Sequence, residues 1–142
     1  MSTARRNPIQ AIIEDFAPRH VASSRVLLPG RKSERRALAD FGVAPVGDVA
    51  MPDVVIHDLD HDWLFLIDAS PQRRHMTEAR ACALKKHFDP SRRHLILFTA
   101  FPDPRSFSRC VESIAWGTHV WIADAPDHMI HFNGERFLGP YT

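Results

Sequence analysis

Apolar and polar positions recur along this chain with two spacings, one typical of helices and one typical of strands. Apolar residues three and four positions apart predict helices over residues 9–16, 33–41, 75–88 and 104–116. Short apolar runs bounded by proline, glycine or polar residues predict strands over residues 25–29, 54–57, 63–67, 94–100, 119–123 and 128–132. Strands that alternate with helices after an antiparallel hairpin favour a mixed sheet flanked by helices, so we expect an α/β fold.

Proline, serine and aspartate mark several of the helix ends. Pro18 is expected to end the first helix, and Ser33 is a good cap for the second. Asp103 and Pro104 are typical of the cap and first position of the last helix. That helix carries an apolar stripe of Phe107, Cys110, Val111, Ile114 and Ala115.

The predicted helix over residues 75–88 places a basic side chain on its apolar face. At about 100° per residue, this face contains Met76, Ala79, Ala83, Leu84 and Phe88. Arg80 falls inside the face. Most arginines in such a position extend along their aliphatic stem to solvent. The alternative is that Arg80 leans over nearby carboxylates.

Residues 52–70, with the sequence PDVVIHDLDHDWLFLIDAS, predict an antiparallel hairpin rich in aspartate. A two-residue loop at residues 60–61 would place Asp53 directly opposite Asp68. Opposed residues share a face, with Cβ atoms about 4.5 to 5.5 Å apart. A loop with an odd number of residues would slip the pairing and send the two carboxylates to opposite faces.

Two carboxylates at that separation repel each other unless one is protonated or a cation lies between them. We therefore predict that Asp53 and Asp68 bind a divalent metal ion. The alternative is that Pro52 only begins a strand, where its missing N–H costs nothing, and that both aspartates are solvated strand ends.

Length and composition indicate one ordinary globular domain, since 142 residues with 44% apolar and 25% charged side chains suffice for one core. No apolar run approaches the roughly 20 residues of a membrane span. The first residues also lack the apolar segment of a signal peptide, so we expect a cytoplasmic protein. Cys82 and Cys110 are expected to be reduced core thiols. Trp63, Trp116 and Trp121 are expected in the core.

The net charge is only +1, but the charges are unevenly distributed. Residues 1–36 carry eight basic and three acidic groups, which gives +5, and residues 37–70 carry seven aspartates and no Lys or Arg. Residues 71–93 carry seven basic and two acidic groups, again +5. Basic stretches on both sides of a carboxylate pair suit phosphodiester chemistry, although basic runs are also common on solvated surfaces.

Histidines near the hairpin turn offer a second metal hypothesis. His57 and His61 accompany Asp58, Asp60 and Asp62 there, which makes them candidate Zn²⁺ ligands. No cysteine and no second pair at a fixed spacing accompanies them.

Four segments of the chain resemble the BsuBI/PstI-type type II restriction endonucleases. They read MPDVVIHD, DWLFLIDA, LFTAFPD and SIAWGTHVWIADAPDHMIHFNGERFLGPY. The resemblance covers roughly residues 25–141. We therefore expect a short helical segment over residues 1–24 and a restriction endonuclease-like catalytic domain over residues 25–142. Family members carry a longer N-terminal helical region.

The resemblance implies a fold of the PD-(D/E)xK nuclease type, with acidic residues on adjacent strands. It also implies Mg²⁺-dependent hydrolysis of double-stranded DNA at a short palindrome, with Asp53 and Asp68 as metal ligands and catalytic residues. Cutting both strands of a palindrome suits a homodimer. The short N-terminal region leaves room for a partner chain that supplies the rest.

The chain departs from the family pattern around the second acid. Where the family has Leu-Ile-Glu-Ala-Val, residues 66–70 read LIDAS, so Asp68 replaces a glutamate. The family lysine aligns with Ala79, the arginine after it aligns with Arg80, and the superfamily lysine position is Ser70. We therefore predict Arg80 as the active-site cation. The other function class is a degenerate or truncated relative that binds DNA or a protein without cutting.

Five further side chains are candidates for DNA binding. Arg73 and Arg74 lie in the basic segment after the hairpin. His128, His131 and Asn133 belong to a His-x-x-His-Phe-Asn-Gly stretch that the resemblance covers. The two histidines are three apart on a predicted strand and therefore face opposite sides, so they cannot chelate one ion together.

Overall fold

The computed structural model describes residues 7–44, 49–135 and 139. Its six strands are β1 (Ser24–Leu27), β2 (Val54–Asp58), β3 (Trp63–Asp68), β4 (Leu95–Phe101), β5 (His119–Ile122) and β6 (Ile130–His131). Its α-helices are α1 (Pro8–Ala11), α2 (Ala17–His20), α3 (Lys32–Asp40), α4 (Glu78–Phe88) and α5 (Pro104–Cys110). A π-helical turn, Ile12–Phe16, joins α1 to α2. None of the helices in the described part of the chain is both long and apolar enough to cross a bilayer.

The strands form one mixed sheet whose spatial order follows the sequence, from β1 to β6. Strand β3 pairs in parallel with β4, and β4 pairs in parallel with β5, whereas the other neighbours are antiparallel. Parallel neighbours need crossover connections, and α4 and α5 lie in the two crossovers. The predicted mixed sheet flanked by helices is confirmed.

The hairpin has the predicted register but a longer loop. Val54 pairs with Ile67 and Asp58 pairs with Trp63, so the loop contains four residues rather than two. Both numbers are even, and the register is therefore unchanged. Extending it by one pair places Asp53 opposite Asp68.

The hairpin loop is held by the Asp58 carboxylate, which accepts the backbone N–H groups of Asp60 and His61 at 3.0 and 3.2 Å. The Asp62 N–H closes the turn on the Asp58 carbonyl at 2.8 Å. Asp62 has a φ of +59°, in the left-handed region that a short aspartate side chain tolerates. These local bonds explain why the strands separate one pair earlier than predicted.

Side chains alternate across the sheet into two apolar layers. The layer on one face contains Val54, Ile56, Phe65 and Ile67 with helical residues Ala11, Ile12, Phe16 and Ala17. The layer on the other face contains Val55, Leu64 and Leu66 with Leu38 of α3 and Ala81, Leu84 and Phe88 of α4. By the same alternation, Asp53 and Asp68 belong to the second face, which α4 covers.

The expectation that Pro18 ends the first helix is wrong, because the helical segment continues to His20. The Ala17 N–H donates to the Ile12 carbonyl, five residues back, and this π turn restarts the helix. Pro18 then lies in the first turn of α2, where its missing N–H is tolerated. This helical segment shares a core with the sheet, and a domain boundary near residue 24 stays a prediction.

Helix α4 begins at Glu78, three residues later than the pattern predicts, because the Thr77 hydroxyl accepts the Arg80 N–H at 3.2 Å and caps it. Ala79 is exposed and was wrongly placed on the apolar face, which instead includes Ala81. Met76 is buried outside the helix, and its N–H donates to the Thr99 hydroxyl.

Helix α5 is also shorter than predicted, although Asp103 caps it and Pro104 begins it as expected. It ends at Cys110 and passes into the 3₁₀ turn Val111–Ser113, so Val111 is exposed rather than buried.

Two expectations about buried side chains were wrong. Cys82 is exposed, and Cys110 is only partly buried. Trp121 is buried as predicted, but Trp116 is 69% exposed.

We predict that Phe16→Ala lowers the free energy of unfolding by about 3–5 kcal/mol, because it empties a fully packed aromatic site. Phe16 contacts the rings of Phe65, Phe98 and Trp121 edge to face. Urea titration followed by circular dichroism measures the effect. Ile13→Ala, on the same helical segment but exposed, is the matched control and should cost far less. Equal losses in the two variants would show that the Phe16 ring contributes no more to stability than an exposed side chain.

Candidate active site

Asp68 is the buried acid of the site. It ends β3, and its side chain has no exposed surface. Arg80 donates from Nε to Asp68 Oδ2 and from Nη2 to Asp68 Oδ1, both at 2.9 Å. The third arm of Arg80, Nη1, donates to the Ala50 carbonyl at 2.6 Å. This two-pronged contact is the strongest geometry available to an arginine and a carboxylate.

Asp53 is the second acid and lies just before β2. Its Oδ2 accepts the Ala69 N–H at 2.7 Å, which joins the two strands beyond their last regular pair. Its Oδ1 accepts a hydrogen bond from Arg74 Nη2 at 3.1 Å, and the same Nη2 contacts the Met51 carbonyl at 3.1 Å. Asp53 therefore has partners on both oxygens.

A tight turn brings Arg74 to the acids. The N–H groups of Arg73 and Arg74 both donate to the Ser70 carbonyl at 2.9 Å, which folds the basic segment back against the hairpin end. Arg73 is exposed, whereas Arg74 is partly buried and points at the carboxylates. Arg74 Nε lies 3.8 Å from Asp68 Oδ1, close enough for an ion pair but too far for a hydrogen bond.

The two carboxylates thus meet two guanidinium groups, and the four charges balance. The two carboxylates are candidate ligands for Mg²⁺. Carboxylate oxygens are its preferred protein ligands, and one or two of them suffice because Mg²⁺ keeps several waters and binds substrate phosphates. No cluster of three or more His, Cys, Asp or Glu suited to a metal occurs in the described part of the chain. The opposed pair Asp53 and Asp68 fits the ion in donor chemistry and number.

A cleft of about 790 Å³ opens beside the acidic pair. Its lining includes Asp53 and Arg74 from the site, Arg31 and Arg35 from α3 and the segment before it, and Ile13 from the helical segment. Glu14 also lines the cleft, so three arginines face two acidic side chains and the lining has a net charge of +1, which favours an anionic chain.

The remaining candidates lie at the other edge of the sheet. His131 on β6 is three strands away from β3, and His128 precedes β6 on an exposed loop. Asn133 and His131 line a second cavity of about 580 Å³ with the exposed Trp116. These side chains are not brought together with Asp53 and Asp68.

His131 pairs with His119, which the sequence reasoning missed. Their Nδ1 atoms are 2.8 Å apart, so one ring donates and the other accepts. Burial, and then the nearby His131, lower the pKa of His119 from 6.5 to about 4. The antiparallel register of β5 and β6 places the two rings opposite each other, a signal available once that pairing is known.

The hairpin histidines are occupied by separate partners rather than gathered around one ion. His61 Nδ1 lies 2.9 Å from Asp58, and His57 Nε2 lies 2.6 Å from Asp62. Burial raises the pKa of Asp58, but hydrogen bonds from His61 and the loop backbone outweigh it and hold that pKa below the usual value. Hydrogen bonds from Arg93 and then His57 lower the pKa of Asp62.

Comparison with known proteins identifies relatives along most of the chain. The model of the BsuBI/PstI restriction endonuclease domain matches residues 1–135. The type II restriction enzyme BsuBI of Bacillus subtilis is 41% identical over 139 residues, covering 94% of this chain and 44% of that protein. The type II restriction enzyme AplI of Arthrospira platensis is 33% identical over 87 residues, covering 61% of this chain and 27% of that protein.

A solved structure of the SdaI restriction endonuclease superposes with a TM-score of 0.82 at 33% identity, covering 94% of this chain and 44% of that one. This likeness confirms the predicted PD-(D/E)xK-type fold. The chain spans less than half the length of these relatives.

We predict that Arg80→Met lowers the free energy of unfolding by about 3–5 kcal/mol, because it leaves the Asp68 carboxylate buried without its partner. Urea titration at neutral pH measures the loss. Lys85→Met, an exposed change on the same helix, is the control and should stay within about 0.5 kcal/mol of the parent. A stable Arg80→Met protein would show that Asp68 does not depend on Arg80.

We also predict that the His119 pair makes stability pH-dependent. Because the folded pKa is about 4 and the ordinary value 6.5, the unfolded chain binds the proton more readily in between. The contribution of neutral His119 to the free energy of unfolding should be fully present above pH 6.5 and should be lost as the pH falls toward 4. His119→Gln should flatten this slope in unfolding titrations across that range. An unchanged slope would contradict the assignment.

Proposed function

The chain belongs to the BsuBI/PstI restriction endonuclease domain family, and on this premise we propose that it hydrolyses phosphodiester bonds in double-stranded DNA with the help of Mg²⁺. The observation that carries the proposal is the opposed pair Asp53 and Asp68 beside an arginine-lined cleft. A nuclease of this kind needs both an anion-binding groove and oxygen ligands for a divalent ion at one place.

Asp53 and Asp68 would hold the metal ion. When bound, Mg²⁺ lowers the pKa of a water molecule and offsets the negative charge that grows on the phosphate. Arg80 holds Asp68 in place and supplies fixed positive charge near the reacting phosphate. A guanidinium is always protonated in proteins, so it can stabilise negative charge but cannot act as a proton acceptor. Ser70, at the superfamily lysine position, brings no charge, and we expect slow cleavage.

DNA would lie along the cleft, with Arg73 and Arg74 near the scissile phosphate. His128, His131 and Asn133 are proposed contacts to the duplex at the other edge of the sheet. Two copies of the chain suit a palindromic site, because a two-fold axis places one acidic pair on each strand. The greater length of the relatives is consistent with a partner chain or further domain that completes recognition.

A second candidate function is binding of DNA or a protein without cleavage. One observation favours it: each carboxylate of the pair is already neutralised by an arginine. A site balanced in this way is stable as it stands. The same DNA-cleavage measurement separates the two functions.

We predict that the purified chain converts supercoiled plasmid to nicked or linear forms with Mg²⁺ or Mn²⁺ but not with EDTA. Asp53→Asn should lower the rate by at least about 10²-fold, since changing even the groups around metal ligands costs 10- to 100-fold. Asp60→Asn, an equal charge change at the exposed hairpin tip, is the control and should cut like the parent.

Cleavage that is equally fast in Asp53→Asn would contradict the assignment of the acids. Duplex binding without cleavage under either metal would establish the second function. In both cases, binding through about six phosphate contacts should weaken about a thousandfold between 50 and 200 mM salt, because bound phosphates release counterions.

A further inference from the structure

Arg74 places a positive charge between the two acids. Its guanidinium contacts Asp53 Oδ1 at 3.1 Å through Nη2 and approaches Asp68 Oδ1 to 3.8 Å through Nε. A divalent ion bound by both carboxylates would need the same space. A guanidinium and a divalent ion that both contacted these carboxylates would repel each other strongly, so only one of them can occupy this space at a time.

Of the two arginines, Arg74 is held less firmly. Arg80 is 11% exposed and uses three nitrogens, two of them on the fully buried Asp68. Arg74 is 27% exposed and shares a single nitrogen between Asp53 and the Met51 carbonyl. Its buried Nε has no hydrogen-bond partner in the described part of the chain. An unpaired buried donor is costly, and leaving the carboxylates would relieve that cost.

Arg74 also has a place to go. It lines the cleft with Arg31 and Arg35, whereas Arg80 does not line it. A guanidinium that leaves Asp53 toward the cleft stays solvated and can pair there with a phosphate. The positive charge of Arg74 would then leave the two acids and face the DNA in the cleft.

We propose that Arg74 competes with the metal ion. The Arg74 guanidinium occupies the space between Asp53 and Asp68, and it must move into the cleft before a divalent cation can bind both carboxylates. The proposal rests on the proposed metal-dependent function and adds its regulation. It follows that the free protein binds divalent ions weakly. A phosphate that captures Arg74 strengthens metal binding, because two ligands that favour one state strengthen each other.

Calorimetric titration of the DNA-free chain with Mn²⁺ tests the proposal. Arg74→Gln should bind Mn²⁺ roughly 5- to 150-fold more tightly than the parent, the usual range for coupled sites. Arg36→Gln removes the same charge from an exposed position on α3 that does not line the cleft, and should leave the Mn²⁺ affinity within about twofold of the parent. In an Asp53→Asn background, Arg74→Gln should no longer tighten binding, because the shared ligand is gone.

Circular dichroism checks that each variant is folded. If Arg74→Gln does not fold, Arg74→Lys keeps the charge and serves instead. Its ammonium is a point charge that cannot span both carboxylates, so its Mn²⁺ affinity should exceed that of the parent by a smaller factor.

Unchanged Mn²⁺ affinity in folded Arg74 variants overturns the competition, and so does an equal gain in Arg36→Gln. If the parent nevertheless cleaves plasmid with Mn²⁺, only the regulation by Arg74 is lost and the nuclease function stands. If neither the parent nor Arg74→Gln binds Mn²⁺ and the parent does not cleave, the metal site itself is refuted together with the competition.

Discussion

The buried ion pair of Asp68 and Arg80 is the interaction on which the rest of the site depends. Asp68 ends a central strand without any exposed surface, and its charge is tolerated there because Arg80 donates two hydrogen bonds to it. Arg80 lies on α4, the crossover between the parallel strands β3 and β4. The pair therefore fastens this crossover to the sheet at the point where the acids meet, and folding and site geometry depend on one contact.

Charge balance distinguishes this site from a simple pair of acids. Two carboxylates alone would repel each other and would need an external cation. Here Arg74 and Arg80 provide that compensation from within the chain, and they occupy carboxylate oxygens that an external cation would need. The two contacts differ in strength. Arg80 is mostly buried and binds Asp68 through two nitrogens, whereas Arg74 shares one nitrogen between Asp53 and the Met51 carbonyl. Arg80 is therefore the firmly held arginine of the pair, and Arg74 is the one that can leave its carboxylate more easily.

The two faces of the sheet have different tasks. The face that packs on the helical segment of residues 8–20 is mainly apolar, with Phe16 inserted among three aromatic rings. The opposite face carries the acids at the strand ends, beneath α4. Because side chains alternate along each strand, one register places Val54 and Ile67 on the first face and their neighbours Asp53 and Asp68 on the second. Stability and chemistry therefore share the same two strands without competing for positions.

The approximate positions of the strands, the hairpin register and the inward direction of Arg80 follow from the sequence alone, because apolar periodicity and an even loop are local properties. The opposition of Asp53 and Asp68 follows from them. Tertiary structure decided what compensates these acids: Arg74 reaches Asp53 only because the Ser70 turn folds back, a path that no periodicity encodes. It also decided the ends of α4 and α5, the exposure of Trp116 and the pairing of His119 with His131, since these depend on neighbours distant along the chain.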